Sequence, residues 1–330
     1  MKETLLCCRI TAQEKGLYRL CHDGVEQAAQ VSGKIQYEAL GPSDYPTVGD
    51  EVLADLNGGG QAVIHKVLPR KSLFLRKAAG TAREEQPVAA NVDILFLCMA
   101  LNNDFNLRRL ERYLAAAWNS GATPVVVLTK ADLCGNPSEK VAAVEEAAPG
   151  TDVLLTSAAQ EDGIRPLLPY LTPGRTVAFV GSSGVGKSTL MNGLLGKEIL
   201  ATGGLRNDDR GRHTTTRRQM FFLPGGAALI DTPGMRELGL WDSESGLETA
   251  FADIEALARQ CRFQDCRHEK EPGCAVRAAL ASGELSEERF RSWQRLSAEN
   301  RYADDRAAHM SAKEKKFRMI AQFNKSNSKR

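Results

Sequence analysis

A chain of 330 residues is long enough for two or three domains, and 42% hydrophobic with 25% charged residues is the balance of an ordinary globular protein. Forty-three Lys and Arg against forty-one Asp and Glu leave a net charge of +2, so affinity for a polyanion has to come from local patches. No apolar run approaches the roughly 18 residues of a membrane helix, "MKETLLCCRI" lacks the apolar stretch of a secretion signal, and eight cysteines without such a signal point to reduced thiols or a bound metal. A cytoplasmic protein with no membrane partner is expected.

Residues 1–72 carry "LLCCRI", "GLYRL", "VSGKIQYEAL", "DEVLADL" and "QAVIHKVL", separated by "GPSDYPTVGD" and "NGGG". Five short strands at this spacing predict a small closed β-barrel, with an oligonucleotide-binding (OB) barrel as the leading form and RNA as the candidate ligand. A β-rich adaptor without nucleic-acid contact is the other reading. "PRKSLFLRKAAGTAREEQP" reads as a basic, Pro-bounded connector.

Residues 73–240 change pattern. Apolar strands are predicted at 92–100, 123–129, 152–156, 176–180, 219–223 and 227–230. "LRRLERYLAAAWNSG" between the first two has helical spacing and a Gly stop. Such strands imply a mostly parallel sheet covered on both faces, with ligands at the carboxyl ends of the strands.

The first polar strand end is Thr129-Lys130-Ala131-Asp132. An Asp carboxylate there can accept from guanine N1–H and the exocyclic amine together, and the Lys130 stem can lie on the base plane. "TSAAQ" at 156–160 follows another strand, and Ser157 and Ala158 are candidates to support the ring. "GSSGVGKS" then matches G-x-x-x-x-G-K-[ST] between a strand and a helix. Gly181, Ser182, Ser183, Gly184, Val185, Gly186, Lys187, Ser188 and the following Thr189 are assigned to the phosphates, with Lys187 on the β- and γ-phosphates and Ser188 on Mg²⁺.

Between 201 and 218 a polar, Gly-rich loop offers Thr214, Thr215 and Thr216 as sensors of γ-phosphate and Mg²⁺, with Thr215 the one chosen. "LIDTPGM" supplies Asp231 for Mg²⁺ through water and Gly234 for the γ-phosphate. The base-reading element precedes the phosphate loop, yet there is only one phosphate loop. One site in a circularly permuted chain accounts for both facts.

Residues 241–330 are helical and polar. Cys261, Cys266, His268 and Cys274 follow C-x₄-C-x-H-x₅-C, a closed Cys₃His shell for one structural Zn²⁺. Cys7, Cys8, Cys21, Cys98 and Cys134 read as small apolar residues. The last twenty residues carry seven Lys or Arg against one Glu, a candidate nucleic-acid arm or a solvated tail.

In this order, "TKAD", "SAA", "GSSGVGKS", "GRHTTT", "DTPG" and "CRFQDCRHEKEPGCAV" resemble the small-ribosomal-subunit biogenesis GTPases of the RsgA (YjeQ/YloQ) family, over nearly the whole chain. The resemblance implies three parts: an OB-type barrel, a circularly permuted α/β P-loop GTPase and an α-helical zinc-binding domain. It implies GTP hydrolysis to GDP stimulated by the 30S subunit, late maturation of 16S rRNA alongside other assembly factors, and work as a monomer.

Two positions depart from the general GTPase pattern. Thr129 stands where N-K-x-D has Asn, so a weaker contact to the base and a weaker tie to the phosphate loop are expected. Met235 follows the D-x-x-G glycine where a water-orienting Gln is usual, and a thioether cannot orient water. His213 in "GRHTTT" is the nearest replacement, the resemblance points to the same residue, and slow turnover alone is expected. "MRELGLW" runs from D-x-x-G into the cysteine-bearing region, so nucleotide state is expected to pass to it.

The leading reading is a ribosome-assembly GTPase. The alternatives are a guanine-nucleotide-regulated RNA-binding module with little or no hydrolysis, and a P-loop ATPase or kinase in which "TKAD" is coincidental.

Overall fold

The computed structural model describes residues 5–14, 16–56, 60–77, 85–102, 104–160, 162–200, 218–232 and 244–298. They divide into two compact units, Met1–Gly239 and Leu240–Arg330.

The first unit begins with strands β1 (Leu6–Glu14), β2 (Leu17–His22) and β3 (Val25–Val31), helix α1 (Gly33–Glu38), and strands β4 (Glu51–Asp55) and β5 (Ala62–Val67). Their order is β1-β2-β3-β5-β4, and β4 pairs back onto β1, closing a five-stranded barrel. Its core holds Ile10, Leu20, Ala29, Val52 and Ile64, the inward residues of alternating strands. The third strand lies earlier than expected: "VEQAAQV" forms it, and most of "VSGKIQYEAL" is helical. Ser32 explains the difference, because its hydroxyl accepts from the Ile35 N–H and caps α1.

The described part of the connector segment is largely β structure. Within it, β6 (Leu73–Lys77) and β7 (Glu85–Ala90) pair as an antiparallel two-stranded sheet. That sheet is locked to the barrel. Gly49, at φ +92°, lies so close to it that a Cβ would sit 2.1 Å from the Ala90 carbonyl oxygen. The Ala90 N–H bonds Val48 O at 2.9 Å, and Asn91 Nδ2 donates to Gly49 O at 3.1 Å. Beside them Arg70 grips the fully buried Asp50 with two 2.7 Å hydrogen bonds.

The nucleotide-fold part follows, with β8 (Ile94–Ala100), α2 (Leu107–Ser120), β9 (Thr123–Thr129), α3 (Pro137–Ala147), β10 (Val153–Leu155), β11 (Thr176–Val180), α4 (Lys187–Leu195), β12 (Arg218–Phe222) and β13 (Ala228–Asp231). The order β10-β9-β8-β11-β13-β12 is parallel except for β12. All seven residues of β8 and all five of β11 are buried, which is why these strands read as unbroken apolar runs. Helix α2 buries Leu110, Tyr113, Leu114 and Ala117 at helical spacing, starts on an Asn106 cap and stops at Gly121 in the left-handed region.

The two sheets are one. Strand β12 pairs antiparallel with β1 through Ala12–Gln219 and Gln13–Arg218, making a single eleven-stranded sheet. Arg9 adds a 2.8 Å bond to Thr176 Oγ1.

The second unit contains α5 (Glu244–Ala250), α6 (Ala252–Ala258), α7 (Ala275–Ser282) and a helical run over 287–298. Arg289 binds both carboxylate oxygens of Asp253 at 2.7 Å and lies 4.8 Å over the Phe251 ring. Among the described residues no helix is long and apolar enough to cross a membrane.

Candidate nucleotide site and cysteine–histidine cluster

Three loops leave the carboxyl ends of β9, β10 and β11 at the same edge of the sheet, the edge where open α/β sheets bind ligands. The loop after β11 is residues 181–186. Gly181 allows it to leave the strand, since a Cβ there would lie 2.4 Å from Cys98 O on the adjacent β8. Gly184 and Gly186 take φ of 79° and 103°, the alternation that turns successive N–H groups toward one point. Helix α4 begins without a side-chain cap, so its first N–H groups remain available to an anion.

Lys187 opens that helix, and its Nζ donates to Gly181 O at 2.7 Å and Ser182 O at 2.8 Å. The ammonium is therefore drawn back over the loop. Val185 is buried, Ser188 is half-buried in the first turn, and Ser183 and Thr189 are exposed. Asp231 ends β13 opposite Phe179 of β11 and is buried. Burial pushes its carboxyl up; Lys187 and the Thr232 N–H pull it back without cancelling the rise.

The base-reading end is wired to the same loop. Thr129, buried at the end of β9, donates from Oγ1 to Val185 O at 2.5 Å. The tie expected to be weakened by the missing Asn is therefore present, made by a hydroxyl. Lys130, in the left-handed region at φ 57°, extends its Nζ to Gly184 O at 2.7 Å. Asp132 projects from a short 3₁₀ turn, and the buried Ser157 donates to its Oδ1 at 2.5 Å. Ser157 is fixed in turn, its N–H bonding Gly163 O at 3.0 Å, while Ala158 beside it is exposed. A carboxylate so held is aimed before any ligand arrives.

A fourth loop, after β8, also reaches this edge and was not singled out from the sequence. Asp104 Oδ2 accepts from Ser182 Oγ at 2.5 Å and pairs with Arg109 at 2.9 Å. Its signal was the polar run "NNDFN" directly after a fully buried strand.

In the second unit, Cys261, Cys266, His268 and Cys274 bring one ligand atom each within 4.8 Å of one another. Cys261 Sγ and Cys274 Sγ are 3.9 Å apart, and His268 Nδ1 lies 3.6 and 3.3 Å from them. A tetrahedral ion with metal–sulfur bonds of about 2.3 Å and a metal–nitrogen bond of about 2.0 Å sets these edges at roughly 3.5–3.8 Å. The donor set fits a metal. Cys274 also caps α7, its sulfur accepting from the Arg277 N–H at 3.5 Å. Burial pushes the His268 pKa down and keeps the imidazole neutral, as a ligand must be.

His213, Thr214, Thr215, Thr216, Gly234, Met235, "MRELGLW" and the basic tail lie outside the described residues.

A family model described as RsgA GTPase matches residues 67–241. An ABC transporter model matches 167–329, a span that takes in the phosphate loop common to P-loop families. The small ribosomal subunit biogenesis GTPase RsgA 2 of Lactiplantibacillus plantarum is 50% identical over 295 residues, covering 89% of this chain and 83% of its own. The RsgA of Methanosarcina acetivorans is 45% identical over 308 residues, covering 93% and 82%. The crystal structure of YjeQ from Thermotoga maritima aligns with a TM-score of 0.67 at 27% identity, covering 90% of this chain and 99% of that one. That of YloQ, a circularly permuted GTPase, shares the fold at a TM-score of 0.63 and 23% identity, over 90% and 96%. With its family match over more than half its length, and relatives this similar along nearly all of it, the chain belongs to the RsgA GTPase family.

Proposed function

We propose that this chain hydrolyses GTP in the service of small ribosomal subunit biogenesis. One observation carries the GTP reading: Asp132, aimed by Ser157, and the phosphate loop are joined into one site by Thr129 and Lys130. Asp132 reads the guanine edge, Lys130 and Ala158 flank the ring, and residues 181–189 hold the phosphates. Ser188 and, through water, Asp231 hold Mg²⁺. Thr215 completes the Mg²⁺ shell, Gly234 meets the γ-phosphate and His213 takes the place of the missing glutamine.

The partner is the 30S subunit and its 16S rRNA, a reading supported by the names of the relatives. The barrel of residues 1–72, the GTPase part of 73–240 and the helical part of 241–330 divide the work into RNA contact, nucleotide turnover and a second contact braced by Zn²⁺. Cys₃His with no open position suits a structural zinc. The protein acts in the cytoplasm as a monomer.

Turnover of GTP and of ATP, each with and without 30S subunits, tests this. GTP should be turned over slowly and faster with subunits, and ATP not at all. Equal turnover of ATP would overturn the guanine reading, and indifference to subunits would overturn the partner.

A further inference from the structure

The loop after β8 contains a carboxylate that the nucleotide reading does not use. Asp104 stands 78 residues before Ser182 in sequence, yet its Oδ2 accepts from the Ser182 hydroxyl at 2.5 Å. A carboxylate beside a phosphate-binding loop is unfavourable for a polyphosphate unless something else justifies it.

The surrounding contacts supply that justification. Arg109 pairs with the same Oδ2 at 2.9 Å and also donates to the Asp104 carbonyl, so the acid is neutralised on its own side of the loop. Asn102 Oδ1 accepts from the Asp104 N–H at 3.0 Å, and Asn106 Oδ1 accepts from the Arg109 N–H at 3.0 Å. Lys140 of α3 reaches back to Leu101 O at 2.9 Å. Asp104 is therefore a fixed point. The residue it holds, Ser182, presents its carbonyl to Lys187 Nζ at 2.8 Å. The line from Asp104 through Ser182 ends at the ammonium assigned to the phosphates.

We infer that Asp104 is a positioning residue of the nucleotide site: through the Ser182 hydroxyl it fixes the start of the phosphate loop and so the carbonyl that orients Lys187. Together with Thr129 on Val185, it clamps the loop at both ends. The inference rests on the nucleotide reading above and deepens it. The clamp acts on the phosphates and not on the base, so its loss weakens GTP and GDP alike and leaves the preference for guanine over xanthine unchanged.

The test is a double-mutant cycle on the full chain, with fluorescent GTP and GDP analogues titrated at fixed Mg²⁺. Asp104→Ala and Ser182→Ala should each weaken binding by about tenfold, and the double variant by about the same factor, because both remove one link. Asp104→Asn keeps an acceptor and should bind within about threefold of the unaltered chain. Melting curves accompany each variant, and Ser182→Ala, which deletes only one oxygen, carries the test if Asp104→Ala does not fold. Losses that multiply to about a hundredfold, or no loss in Ser182→Ala, would overturn the inference. Failure of the unaltered chain to bind guanine nucleotide would instead remove the nucleotide reading and the inference with it.

Discussion

Thr129 Oγ1 donates a 2.5 Å hydrogen bond to the carbonyl oxygen of Val185, across 56 residues of chain. Thr129→Val keeps the shape of the side chain and leaves that buried carbonyl without its partner, a cost of about 1–3 kcal/mol. GTP affinity should fall by about tenfold, read by titration with a fluorescent analogue. Unchanged affinity would mean that the loop keeps its shape without Thr129.

In the proposed site Asp132 is the residue assigned to separate guanine from other bases. Asp132→Asn exchanges an acceptor for a donor at one oxygen, which suits the xanthine edge. Competition between GTP and XTP should shift toward XTP by about a hundredfold, and an unshifted ratio would show that another group reads the base. Ser157→Ala frees the carboxylate without changing its chemistry, so affinity should fall while the preference stays.

Gly49→Ala puts a methyl where only 2.1 Å separates it from Ala90 O, at a φ of +92°. Backbone must move to admit it, and a loss of about 3 kcal/mol or more is expected. Gly24→Ala, at φ +80° with nothing within 4 Å, meets the strain without the clash and should lose about 1–2 kcal/mol. Thermal melts of the two variants side by side check the difference.

Chelation, or Cys274→Ser, should release the zinc proposed for this cluster and unfold the helical unit with it, because the four ligands lie along the segment that joins α6 to α7. Zinc content by a colorimetric chelator and loss of helical circular dichroism should change together. Helical signal that survived complete removal would show that the Asp253–Arg289 pair and its neighbours suffice.

Burial pushes the Asp253 carboxyl up, but the two hydrogen bonds and the charge of Arg289 outweigh it and hold the group below its usual value. A depressed carboxylate contributes stability that is fully present above the unfolded pKa of about 3.9 and is lost as pH falls through the folded value. Denaturant melts at descending pH should therefore show a steeper loss below about pH 4 in the unaltered chain than in Asp253→Asn. Parallel curves would show that the pair carries no linkage.

Strands β8, β9 and β11 were legible because burial on both faces leaves no polar position to interrupt the run. Helix α2 was legible from Leu110, Tyr113, Leu114 and Ala117, and its end from Gly121. The third barrel strand was misplaced because its inward residues are small or few, Ala29 and Val31 among Glu and Gln, while "KIQYEAL" looked more apolar. The β6–β7 sheet was hidden by Arg, Lys, Glu and Pro87 within its strands. Motif chemistry located the phosphate loop and Asp132 without any fold. The polar run after β8 marked the loop of Asp104 as a strand end, but its partner Ser182 could be named only once β8 and β11 are neighbours.

The pairing of β1 with β12 bears on how this protein can be taken apart. A cut near residue 72 looks harmless on paper, but it would strip a hydrogen-bonded neighbour from both pieces. The severed barrel would bare the flank of β1, and the severed nucleotide fold would bare β12 at the outside of its sheet. Unprotected flanks of this kind recruit other chains. Fragments made at that point should each precipitate when produced alone and stay in solution when co-expressed, so the smallest portion worth purifying for nucleotide work is the whole of Met1–Gly239.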